Sequence, residues 1–257
     1  KDADRQENTD RKESAEEPED ADRKESADRQ AQPQQAAPAA AAPAAPAAPT
    51  SVNGKGNGVF GNIITVINNA ATALKLTLKD VKIDVSDTGK YGELGTSERG
   101  KAALSVQGEG NVEIELDGKN ELKSGVLRAG LEKTSTGTLT LKDNKEAGSG
   151  SLNAEGGALS AGIGACYEEG TKNIIITGGT VTATGGDGGA GIGGGGWISG
   201  NGGWVSGQNI TITGGTVNAD GGDCGAGIGG GKENSGSNVT VSGAAQVTTT
   251  AGKSKDF

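Results

Sequence analysis

Eight residues in the C-terminal half have side chains suited to recognising a sugar. Tyr167, Glu168 and Glu169 follow Ala165-Cys166, and Lys232 and Glu233 follow a glycine run. Trp197, Asn201 and Trp204 lie in a duplicated Gly-Gly-Trp-aliphatic-Ser-Gly segment. Aromatic faces pack against sugar C–H faces, while carboxylates, amides and ammonium groups satisfy hydroxyls. These residue types predict a glycan platform with the two tryptophans at its centre. The competing expectation is that Trp197 and Trp204 fold back only to cover a corner of the protein. A second set is acidic. Asp187 and Asp223 are 36 residues apart in matching strings, and Glu155, Thr184 and Asp220 share another register. Stacked carboxylates repel unless hydrated or bridged, so a Ca²⁺ between Asp187, Asp223 and Asp220 is the chemistry open to them. No Asp-x-Asp-x-Asp-Gly loop and no Gly-Gly-x-Gly-x-Asp nonapeptide occurs. The expectation is therefore a solvated acidic edge, with no cofactor required.

Composition excludes much else. The chain has no His and no Met, which removes histidine-dependent catalysis, His-ligated metals and haem. Polysaccharide lyase chemistry needs a clustered Asp set and a basic proton abstractor, yet beyond residue 50 the arginines are Arg99 and Arg128 alone. Glu168 and Glu169 are adjacent loop residues and make a poor glycosidase pair. A non-enzymatic protein is expected. Net charge is −9, which does not fit a nucleic-acid footprint. No run of 18 apolar residues occurs, so no membrane-spanning helix is expected. The glycine spacing around Gly191-Ile-Gly193 follows no βαβ pattern, so a dinucleotide site is rejected. Two cysteines do not form a disulfide framework, and the repeat register keeps Cys166 and Cys224 two coils apart, predicting free thiols.

The elements that must carry these residues emerge from self-similarity. The string from Asn173 to Gly195 returns 36 residues later as Asn209 to Gly231. Looser copies start near Leu74, Val112 and Leu139, and a truncated one near Val239. Each holds three short period-2 segments separated by Gly, Asn or Asp; in the clearest copy they are Ile174/Ile176, Val181/Ala183 and Ala190/Ile192. Three strands per repeat with glycine turns describe one coil of a three-sided solenoid. The fold expected is all-β, a right-handed parallel β-helix of about five coils over residues 59–250, the hand following from the bias of parallel crossovers. Its third-strand column is Leu104, Leu131, Ile163, Ile192, Ile228, and its second is Leu152, Val181, Val217, Val247. A core one side chain thick explains why six aromatic residues suffice for 257. Asn111, Asn173, Asn209 and Asn238, each just before a first strand, predict a stacked amide ladder. An antiparallel sandwich is the rival fold.

The N-terminal fifth differs. All six prolines fall by Pro49 and all 48 glycines after Ala48. Residues 1–30 repeat Asp-Arg-Lys-Glu-Ser-Ala with no apolar side chain larger than Ala, which predicts a charged disordered segment. Residues 31–50 read as an Ala/Pro spacer, leaving 51–257 for the β-helix domain. Because the chain opens on Lys1, it is expected to be a processed or excised fragment.

The strings Ile-Thr-Gly-Gly-Thr-Val-Thr-Ala-Thr-Gly-Gly (176–186) and Gly-Ala-Gly-Ile-Gly-Gly-Gly (189–195) resemble surface proteins of Gram-positive bacteria described as carbohydrate-binding-domain-containing, of right-handed β-helix type. The resemblance covers about residues 59–250. It implies a secreted or cell-wall location and, in some relatives, binding of acidic or cellulosic polysaccharide with calcium. The C-terminal Lys253-Ser-Lys-Asp-Phe257 departs from the pattern by lacking a wall-sorting motif. Residues and resemblance together predict an extracellular, adhesin-like module whose partner is a polysaccharide or host glycan, with the third-strand loops on one corner as its binding face. The alternative is a structural stalk or wall-layer element. A polysaccharide-degrading enzyme and an ice-binding protein are more distant, the latter because the threonine columns are mixed.

Overall fold

A computed structural model describes residues 50–53, 61–92, 96–144, 149–197 and 207–254. It is all-β among these residues, and every pair of named strands runs parallel. Strand β1 (Thr50–Asn53) pairs with β3, so β-structure starts at Thr50, the last residue assigned to the spacer. The remainder winds through six coils rather than about five. The first is β2 (Ile64–Asn68), β3 (Leu74–Lys79) and β4 (Lys82–Asp84); the second is β5 (Leu104–Gly108), β6 (Val112–Asp117) and β7 (Lys119–Lys123). The third is β8 (Leu131–Lys133), β9 (Leu139–Lys142) and β10 (Ser151–Glu155); the fourth is β11 (Ile163–Gly164), β12 (Thr171–Ile176) and β13 (Thr180–Thr184). The fifth is β14 (Ile192–Gly193), β15 (Gly207–Ile212) and β16 (Thr216–Asp220); the sixth is β17 (Ile228–Gly229), β18 (Gly236–Val241) and β19 (Gln246–Thr250). The extra coil comes from β2, whose Ile64 and Val66 face inward at the head of the third-strand column.

Sheet 1 holds β1, β3, β6, β9, β12, β15 and β18; sheet 2 runs from β4 to β19; sheet 3 runs from β2 to β17. Together they form the right-handed parallel β-helix that the repeats predicted. Register matches the expected columns. Ile64, Leu104, Leu131, Ile163, Ile192 and Ile228 stack in sheet 3, and Leu152, Val181, Val217 and Val247 in sheet 2. Alternation sends these side chains inward, where each fully buried aliphatic contributes about 1.5–3 kcal/mol.

The sheet 2 column is interrupted in the second coil, above Val81 of the first. Below Leu152 it holds Asn120, buried to 1% exposure. The reason is local. Strand β4 begins at Lys82, so Val81 N–H would have no ladder partner; Asn120 Oδ1 accepts from it at 2.9 Å, and Asn120 Nδ2 donates to Ser151 O at 3.0 Å. The amide ladder also forms. Asn209 Nδ2 donates to Asn173 Oδ1 at 3.1 Å and Asn238 Nδ2 to Asn209 Oδ1 at 3.0 Å. All three asparagines sit at φ of 53–61°, a left-handed conformation that Asn tolerates better than other non-glycine residues. The ladder stops at Asn173, whose Nδ2 donates to Thr136 O; Asn111 instead accepts from Thr138 N–H.

Candidate functional site

The third strands place the candidate residues. Each of β11, β14 and β17 is two residues long, an inward isoleucine followed by Gly164, Gly193 or Gly229. These glycines form one outward column with Thr65, Ser105 and Glu132 of the earlier coils. They adopt φ of 134–137°, and a Cβ on Gly193 would collide with Gly229 O. With no side chains in the way, the following segments turn back across the outer face of sheet 3 to the turns that precede it. Tyr167 N–H donates to Ser160 Oγ (3.1 Å), Gly196 N–H to Leu159 O (2.9 Å) and Lys232 N–H to Gly188 O (2.7 Å). The loops thus share a surface, as expected, but it spreads over a sheet face rather than along a corner.

On this surface Tyr167 and Trp197 stack, ring centroids 6.3 Å apart and planes inclined by 24°. Trp197 N–H donates to Lys232 O at 3.1 Å, tying the fifth-coil loop to the sixth. Both rings are half-buried. The Trp197 indole N–H is turned inward and finds no acceptor among the described residues. Glu168 is exposed and accepts a hydrogen bond from the Tyr167 phenol; burial first, then this bond and the Glu168 charge, pushes that phenol up to about 12. Glu169 is half-buried and Glu233 exposed. Asn201 and Trp204 lie outside the described residues.

Beneath the rings is a charged layer that sequence patterns did not single out. Glu132 is 2% exposed and is held by Arg128 Nη1 at 3.0 Å and Ser105 Oγ at 3.3 Å. Burial raises its carboxyl above the usual range despite the Arg128 charge, and Glu169 adds to the rise. Cys166 is fully buried, and burial, reinforced by Glu132 and Glu169, pushes its thiol up to about 12. It is an inert thiol, separate from Cys224, which is also free and only half-buried. Lys133, next along β8, faces inward at 1% exposure; its Nζ donates to Ser135 O at 2.7 Å, and burial pushes it down to about 8. Glu132 takes the outward register of Gly164, and Lys133, the residue by which β8 exceeds the strands stacked above it, takes the inward register of Val106.

Two residues absent from the sequence-derived set join this surface. Arg99 Nη1 donates to Cys166 Sγ at 3.5 Å and Nη2 to Tyr167 O at 3.3 Å. Tyr91, 55% exposed, follows Lys90, whose bridge to Glu98 sets it beside the segment from which Arg99 reaches Tyr167. The signal available was composition: tyrosine is so rare here that any tyrosine in a long loop is a candidate. Tyr91, Tyr167 and Trp197 are the aromatic residues the structure describes; Tyr167 and Trp197 stack, and Arg99 ties the bridged excursion that holds Tyr91 to Tyr167.

The acidic set divides. Asp187 and Asp223 lie on consecutive turns, where Leu159 N–H donates to Asp187 O and Gly188 N–H to Asp223 O. Asp220 belongs to a neighbouring column on sheet 2 with Glu155 and Thr184. Among the described residues no group of three or more His, Cys, Asp or Glu is arranged to hold a metal. No helix among them is long and apolar enough to cross a membrane.

The family described as beta helix repeat matches residues 174–196 and 210–232. Each match covers the end of a sheet 1 strand, a sheet 2 strand, a sheet 3 strand and the first glycines of the folded-back loop. No curated protein and no solved structure matches the chain.

Proposed function

We propose that this β-helix is a non-catalytic module that binds polysaccharide or host glycan on the outer flank of sheet 3. One observation carries the reading: Tyr167 and Trp197 stack on that flank, beside Glu168 and Glu169. In a chain with 2% aromatic residues, stacking two outside the core is an arrangement the solenoid itself does not require. Ring faces and edges suit sugar C–H groups, and the two carboxylates accept from hydroxyls. The non-catalytic part rests on Glu132. Among the described residues it is the one carboxyl raised by burial, as a general acid would be, but it is 2% exposed and held by Arg128, away from any glycosidic oxygen on the surface. A secreted or cell-wall-associated setting belongs to the same reading.

The second reading, a structural stalk or wall-layer element, is favoured by the inward Trp197 N–H, which fits a ring used as a cover. A glycan array probed with wild type and with a Tyr167→Ala/Trp197→Ala double variant separates the two. Binding to a defined glycan that the double variant loses, with the fold retained by circular dichroism, is the expected result. If wild type binds no glycan and the double variant only melts earlier, the structural reading stands in its place.

A further inference from the structure

The turn between β4 and β5 is replaced by a long excursion from Val85 to Lys101. Its base is stitched to the turn of the next coil: Gly100 N–H donates to Val126 O at 2.8 Å, Val126 N–H to Thr88 O at 3.0 Å, and Arg128 Nε to Gly100 O at 3.3 Å. Higher up, Lys90 and Glu98 exchange two backbone hydrogen bonds of 3.0 and 2.9 Å in an antiparallel bridge. Tyr91 follows the first bridge residue and Arg99 the second. Arg99 enters the second coil, yet its guanidinium reaches Cys166 and Tyr167 of the fourth. The excursion therefore carries Arg99 away from its own coil to a loop two coils further on. Two of the guanidinium donors are engaged at separate loop atoms, a use of the planar fork that a lysine cannot reproduce.

We infer that Arg99 is a positioning residue that latches this excursion onto the folded-back loops, so that Tyr91 completes one aromatic surface with Tyr167 and Trp197, and that this surface takes a chain of uncharged sugar units lying along the solenoid axis. The inference rests on the glycan reading above and narrows it. The axial direction follows from Tyr167 and Trp197, which belong to consecutive coils and succeed one another along the stack. The absence of charge follows from the groups that face the surface. Glu168 and Glu169 follow Tyr167, and the Lys232 cation is followed by the exposed Glu233, whereas Arg128 is already bound to Glu132 and Arg99 to the loop. A carboxylate or sulfate on the ligand would meet like charge without a free guanidinium to offset it.

The experiment has a ligand-free arm and a ligand arm. Cys166 labelling by iodoacetamide, located by peptide mapping, reports whether the latch covers the thiol. Arg99→Ala is expected to raise the rate about tenfold through local opening, and Arg99→Lys to raise it nearly as much, while Tyr91→Ala labels like wild type. In the ligand arm, neutral glucan, mannan and xylan oligosaccharides are printed beside their carboxymethylated counterparts. Wild type is expected to prefer the neutral member of a pair, and Tyr91→Ala and Arg99→Ala to weaken its binding roughly three- to tenfold, the size of one aromatic contact. Unchanged Cys166 labelling in Arg99→Ala overturns the latch. Unchanged binding by Tyr91→Ala and Arg99→Ala, where Trp197→Ala abolishes it, overturns the shared surface but leaves the glycan reading intact. Preference for carboxymethylated chains overturns the ligand class. Binding to neither set overturns the ligand class and the glycan reading together, while the labelling rate still decides the latch by itself.

Discussion

The first three coils and the last three place the same aliphatic columns inside and solve the outer faces differently. In the early coils the column outside sheet 3 carries Thr65, Ser105 and Glu132, and among the described residues four ion pairs between Lys79 and Glu155 join neighbouring coils, with Arg128–Glu132 a fifth inside the third coil. Polar groups also enter the interior there, at Asn120 and Lys133. In the late coils the outer column is Gly164, Gly193 and Gly229, and the asparagine ladder runs along sheet 1. The early coils are individual, each fitted to its neighbour by particular charges. The late coils are near copies, held by backbone geometry that any identical coil could share. Freed of side chains, the late outer face can carry folded-back loops, and the candidate site is built there.

Exchanging the devices at one register position should break this contrast most severely. Gly193→Ala forces a side chain into a φ of 137° and against Gly229 O. A loss of about 3 kcal/mol or more is expected in urea unfolding, with Trp197 released first. A variant that melts like wild type would mean the loops do not need the bare glycine column.

The buried lysine gives the next effect. Lys133 at about 8 lies below the ordinary lysine value, so between the two the unfolded chain binds more protons than the folded one. Stability should therefore rise as pH increases from about 8 to 10.4, by on the order of 2–3 kcal/mol. Denaturant midpoints measured across that window, beside Lys133→Met, check it. The variant should lose this rise, and a slope equal to wild type would assign the effect elsewhere.

Smaller still is the ladder. Asn209→Ala removes both amide bonds and puts alanine at a φ of 53°. A cost of about 1–2 kcal/mol is expected by thermal melting. Asn111→Ala, outside the ladder, should cost less, and equal costs would deny the ladder any role of its own. Smallest is the exposed charge network. Lys142 Nζ contacts Glu113 at 2.6 Å and lowers its carboxyl pKa, but both side chains stay partly in water. Lys142→Ala should cost below about 1 kcal/mol and less again in high salt. A larger, salt-independent loss would show that early-coil pairing does more than tune the surface.

Repetition made the solenoid legible in the sequence. Ile163, Ile192 and Ile228 recur at fixed spacing with glycine after each, and a residue seen at the same phase in successive repeats has one possible place in a parallel stack. Side-chain alternation then determined which residues face inward, and left-handed corners determined why Asn and Gly recur. The columns, the ladder and the separation of the two cysteines were all readable on that basis. Loop contacts between coils were not. Arg99 and Tyr167 are 68 positions apart in unlike strings, and nothing periodic links them; only the winding brings the excursion at Val85–Lys101 over the fourth-coil loop. Burial of Glu132 likewise depended on Arg128 and Ser105 closing on it, and that of Lys133 on where β8 ends relative to its neighbours. Short-range pattern sets strand, phase and stack, because those follow from one residue's relation to the next few. The candidate site is a meeting of four non-repeating segments, and their proximity is a property of the tertiary structure alone.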